Sequence, residues 1–132
     1  MRFNVIAAII LGILIPTLET VRRGIDYWSV SFTTMFEDYL AGIALIVSAL
    51  GALRGARWAP LSLLIVWSGV ASMMLLSTVS QIERHFWGGE PEPRSGIVLG
   101  AKLLLLLVCV VALSRSVRAV SADQALAVAL ED

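Results

Sequence analysis

Four long apolar stretches, residues 3 to 21, 35 to 53, 60 to 80 and 96 to 113, occupy more than half of the 132-residue chain. A hydrocarbon core of roughly 30 Å takes about 20 helical residues at about 1.5 Å each, and every one of these stretches meets that length. The sequence therefore predicts an all-α integral membrane protein, a four-helix bundle in up-down-up-down order with both termini on the same side. Hydrophobic residues make up 58% of the chain and charged residues 15%, a balance that a water-soluble domain of this size would not keep in solution. The division expected is a transmembrane domain over residues 1–114 and a short cytoplasmic tail over 115–132, whose Ala, Leu and Val at helical spacing suit an amphipathic helix. Met1 and Arg2 before an apolar run resemble a signal peptide, but no small-x-small triplet follows Leu18, so the first stretch is read as a retained helix.

The connectors carry their own signals. Arg22, Arg23 and Gly24 end the first helix, and Pro16 disturbs only its last turn. Residues 24 to 33 form a loop expected to lie along the membrane surface, with Tyr27 and Trp28 at the headgroup level; Trp58, Phe86 and Trp87 are the same kind of interfacial aromatic. Thr34 and Glu37 have the spacing of a capping box, which places the start of the second helix at Thr34. Only residues 54 to 59 separate the second and third stretches, and Pro60 suits a first helical turn, so these two form a tight hairpin. The segment after Gln81, with Glu83, His85, Phe86, Trp87, Gly88, Gly89 and the Pro91-Glu92-Pro93 run, reads as a polar loop, closed by Ser95 as the cap of the fourth helix.

Small residues mark faces where helices approach one another. In the second helix Ala44, Ser48 and Ala52 recur every four residues, with Gly51 and Gly55 one step around, and the fourth opens with Gly96 and Gly100 in GxxxG spacing. These seven are the expected helix-packing residues.

The formal charge is zero, but the charges are segregated outside the apolar stretches or near their ends. The terminal side carries Arg2, Arg54, Arg57, Arg115 and Arg118; the other side carries Arg22, Arg23, Arg84 and Arg94 with most of the acids. Five basic residues against four favour termini in the cytoplasm, in a bacterial inner membrane. No basic surface is present to attract nucleic acid. Cys109 is the single cysteine, so neither an intrachain disulfide nor a thiolate metal site is expected, and the single His85 rules out bis-histidine haem within one chain. No metal and no cofactor is expected.

One polar cluster stands out. Glu37, Asp38, Glu83, His85 and Lys102 all fall toward the side opposite the termini. Lys102 lies seven residues past Ser95, about 10 Å into the fourth helix, deep enough to need a partner and shallow enough to snorkel. Glu37 or Asp38 is the partner expected. No HExxH, CxxC, GxSxG or glycine-rich phosphate loop is present, and the first stretch has no ionisable residue between Arg2 and Glu19, unlike small multidrug exporters, which rely on an acid there. The leading expectation is a non-enzymatic membrane subunit that packs against copies of itself or a larger membrane complex. The alternative is a small transporter or channel that uses the polar cluster; an enzyme acting on lipid or quinone is a third possibility.

Overall fold

A computed structural model describes residues 2–88 and 95–129, with side chains up to residue 125. Among the described residues there are five helices and no strand: α1 (Arg2–Arg23), α2 (Tyr27–Val30), α3 (Phe32–Leu53), α4 (Ala59–Trp87) and α5 (Ser95–Ala129). All but the single-turn α2 are long and apolar enough to cross a bilayer. The chain is an all-α, membrane-embedded four-helix bundle. Three consecutive antiparallel pairs, α1 with α3, α3 with α4 and α4 with α5, carry most of the packing, and α1 meets α5 more sparsely.

The ends of the helices follow from local chemistry. Gly24 has φ +82° and its N–H returns to the Thr20 carbonyl at 2.8 Å, which ends α1. Gly55, at φ +68°, closes α3 in a Schellman motif, with Ala56 N–H to Gly51 O at 3.0 Å and Gly55 N–H to Ala52 O at 3.2 Å. Its role is thus to stop a helix, not to pack one as expected from the spacing. Pro60 sits in the first turn of α4, where its missing N–H costs nothing, and the Trp58 ring folds back over Gly51, where a Cβ would collide with it. The hairpin of α3 and α4 is therefore as tight as its sequence requires.

Three boundaries differ from expectation. Helix α3 begins at Phe32, so Thr34 is already inside it; the Thr34 hydroxyl bonds to the Ser31 hydroxyl at 2.7 Å, no side-chain cap bond forms, and the capping box is absent. Helix α4 continues to Trp87, so Glu83, His85, Phe86 and Trp87 extend a helix of about 43 Å by the standard rise instead of forming a loop. Helix α5 runs unbroken to Ala129, so the tail is helical but continuous with the last span. Gly89 to Arg94, including the Pro91-Glu92-Pro93 run, lies outside the described residues.

The core is assembled from Val5, Ala8, Leu11 and Ile15 of α1, Leu45 and Ala49 of α3, Leu63, Trp67 and Val70 of α4, and Cys109 and Ala112 of α5. Trp67 is the largest fully buried side chain. Where α1 crosses α3 the backbones themselves meet. A Cβ on Gly12 would stand 2.8 Å from the Gly42 carbonyl oxygen, and one on Gly42 would stand 2.5 Å from that of Gly12. Pro16 explains why the Gly12 carbonyl is available, because a proline has no N–H to donate to the carbonyl four residues earlier. Each carbonyl thus faces the other glycine's Cα, the weak C–H···O arrangement common at close helix crossings.

Candidate functional site

The residues expected to cluster at the end remote from the termini are separated by the helices that carry them. Lys102 is half-buried on α5 and does not pair with Glu37 or Asp38. Its Nζ donates to the Ser77 hydroxyl at 2.8 Å and to the Ser77 carbonyl at 3.3 Å, both on α4. The reason is position in the bundle: α5 packs mainly against α4, and α3, which carries both acids, pairs with α1 and α4 and lies diagonally across from α5. Glu37 is exposed and lines an apolar groove between α3 and α4, formed with Leu40, Ala41, Ala44, Val66, Gly69, Val70 and Met73. Glu83 is exposed on α4.

His85 is held elsewhere. Its Nδ1 is 2.9 Å from the Ser95 hydroxyl, which also accepts from Gln81 Nε2 at 3.4 Å, and its ring meets Phe86 edge-on at a centroid distance of 5.0 Å. Ser95 therefore ties the start of α5 to the end of α4 through its side chain. That contact makes His85 a helix-joining residue in this arrangement.

Asp38 is buried, with its Oδ2 shielded from solvent and without a hydrogen-bond partner. It sits on α3 facing the C-terminal turn of α1, and the charges that act on it are Glu19, Arg23, Glu37 and Arg22. Glu19 was not among the residues expected to matter, yet it is the only carboxylate in an ion pair among the described residues. Its Oε2 lies 2.8 Å from Arg23 Nε and 3.2 Å from an Arg22 terminal nitrogen. Above this group the connector closes over the bundle: the Arg23 guanidinium lies 5.1 Å from the Tyr27 ring centre, Trp28 packs on Phe32 and Tyr39, and the Tyr39 hydroxyl meets that of Thr20 at 2.9 Å. Tyr27 and Trp28 thus cover a polar group as well as presenting aromatic surface.

A small notch of about 40 Å³ opens between α1, α4 and α5, lined by Ile15, Leu18, Glu19, Met74, Ser77, Lys102 and Leu105. Glu19 and Lys102 share this notch without forming an ion pair. It has room for a few waters at most.

A second polar contact lies at the terminal end and was not anticipated. Asn4 is buried on α1, and its Nδ2 donates to the Ser116 hydroxyl at 2.8 Å and to the Ala112 carbonyl at 3.1 Å, while its Oδ1 has no partner. It clasps α1 to α5, a pair whose packing is sparse. A lone asparagine at the second position of an apolar run is the available signal. Intramembrane amides seek partners on neighbouring helices.

The small-residue faces divide in the same way. Ser48 is buried and bonds across to Ser62 at 2.6 Å; Gly51 receives Trp58; Ala52 rests against the core; Ala44 lines the open α3–α4 groove. Gly96 and Gly100 have no atom within 4 Å of where a Cβ would stand, so among the described residues their face packs against nothing. Among the described residues no group of three or more His, Cys, Asp or Glu side chains is placed to hold a metal ion. The chain shows no match to any protein-family model, to any curated protein or to any solved structure.

Proposed function

We propose that this chain is a non-enzymatic subunit of a larger membrane assembly, formed with another membrane protein or with copies of itself, in a bacterial inner membrane with its termini in the cytoplasm. One observation carries the reading. The Gly96 and Gly100 face of α5 offers close backbone approach, and among the described residues no helix of its own chain uses it. Helix α5 is also the least buried of the four spans. In lipid, association between helices gains from such close approach because side-chain burial alone supplies no hydrophobic drive. The open α3–α4 groove, with Ala44 and Gly69 on its walls, is a second face of the same kind.

Purification in mild detergent followed by mass measurement tests this. A specific companion or a defined oligomer is expected, lost in a Gly96→Leu, Gly100→Leu variant whose helix content is unchanged. A lone monomer that copurifies with nothing sinks the reading.

The alternative, a small transporter or channel, draws on Asp38. A buried carboxylate with an unpartnered oxygen in a spanning helix is the kind of group that ion pathways use. It predicts that Asp38→Asn abolishes a flux in proteoliposomes while the bundle still folds.

A further inference from the structure

We infer that the seam between α1 and α5, at the end remote from the termini, is a binding site for the headgroup and upper acyl chain of an anionic phospholipid. This is independent of whether the chain is a subunit or a transporter.

Three features of the seam point there. First, among the described residues the Lys102 ammonium has only the neutral donor-acceptor Ser77 for a partner. Leaving such a cation in hydrocarbon is costly, and near the headgroups a phosphate oxygen is the counter-ion at hand. Second, the surrounding charge carried by the described residues is positive. The charges that act most strongly on Lys102 are Arg22, Glu19, Arg84 and Arg23, and the one carboxylate among them is already held by Arg22 and Arg23. Helix geometry puts the arginines on the right side: Arg22 is one turn above Leu18 and Glu19 in the notch wall, and Arg84 is two turns above Ser77 on the same face of α4. The exposed Glu83 is rotated by about 120° from Ser77, and Glu37 lines the separate groove between α3 and α4.

Third, the notch is amphiphilic along the membrane normal. Ile15, Leu18, Met74 and Leu105 form its apolar wall beneath the polar rim of Ser77, Lys102 and Glu19. Its volume of about 40 Å³ is too small to swallow a headgroup. The phosphate therefore rests across the mouth, against Lys102, Arg22 and Arg84, and the chain follows the sparsely packed α1–α5 seam below. Basic pockets between transmembrane helices bind anionic headgroups by the same charge logic.

The test uses the full chain in detergent and in nanodiscs. Native mass spectrometry with equal amounts of phosphatidylglycerol and phosphatidylcholine should show the wild type retaining the anionic lipid about tenfold more, the ratio equivalent to about 1.4 kcal/mol. Lys102→Met should erase most of that preference. Should that variant fail to fold, the double variant Arg22→Gln, Arg84→Gln, at side chains nearer the headgroup layer, should reduce it to less than a third, with helix content by circular dichroism as the control. Equal retention of both lipids by the wild type overturns the inference, as does a preference that survives in the folded variants. So does a preference abolished by Arg2→Gln, Arg115→Gln instead, which would place the lipid at the terminal end. Displacement of the retained lipid by inorganic phosphate alone would make the site a free-anion site and overturn it equally.

Discussion

The contact that most directly tests the packing is the one between Gly12 and Gly42. An alanine at position 42 places its methyl 2.5 Å from the Gly12 carbonyl oxygen and 3.2 Å from the Pro16 ring. Ordinary contact begins near 3.4 Å, so α1 and α3 must separate by up to about 1 Å, and neither obstacle is a flexible side-chain end. Overpacking of this kind costs about 1–3 kcal/mol. The alanine recovers up to about 1 kcal/mol in helix propensity, which leaves a net loss of up to about 2 kcal/mol, centred near 1 kcal/mol. For a domain of this length that corresponds to a fall in Tm of several degrees, roughly 3–6 °C per kcal/mol between the values for smaller and larger domains. The protein supplies its own reporter, because Cys109 is its single cysteine and is fully buried in the core. A thiol-reactive fluorophore therefore brightens only as the bundle opens. Gly100→Ala is the matched control: the same methyl, in a spanning helix, with nothing within 4 Å. It should leave the monomer's Tm unchanged or slightly raised. If Gly42→Ala melts at or above the wild type, the close crossing does not exist and the arrangement of α1 against α3 is wrong.

Three further perturbations separate the packing seen here from the simpler alternatives. Gly55→Ala should destabilise by about 1–2 kcal/mol, because a Cβ is disfavoured at its φ of +68°, and the Cys109 melting assay reads this directly. Glu37→Gln should change Tm by less than a degree, since Glu37 is exposed and caps nothing; a loss near the roughly 1 kcal/mol expected for an N-terminal cap would restore the capping box. Ser116→Ala removes one acceptor of the Asn4 amide and should cost about 0.6 kcal/mol, with faster hydrogen exchange at the first turns of α1 as its local signature.

The apolar stretches, their count and the short 54–59 link were all readable along the chain, because the length a bilayer demands and the breaks that turns demand are one-dimensional properties. Gly24 lies where α1 stops for the same reason, since a left-handed residue satisfies orphan carbonyls locally; Gly55 does this for α3, although its spacing along the chain reads as a packing position. The start of α3 was misplaced because Ser31 and Thr34 both offer a hydroxyl near the boundary, and spacing alone does not choose between them. The polar segment after Gln81 looked like a loop because charged residues leave the hydrocarbon, yet leaving the hydrocarbon does not end a helix, and α4 simply continues into the headgroup layer.

What the sequence by itself determined is the solvent of each segment: which residues lie in lipid, where the chain turns, and that Lys102 sits inside a span. Rotation of each helix about its axis, and so the identity of every neighbour, was decided only by the tertiary structure. Glycines and serines occur on several faces of these helices, so small-residue spacing does not by itself choose which face meets which neighbour. Packing in three dimensions chose Gly12 against Gly42, gave Lys102 to Ser77 instead of a carboxylate, and set Asn4 against α5, because close approach depends on where two backbones cross, a property of the pair that neither helix carries alone.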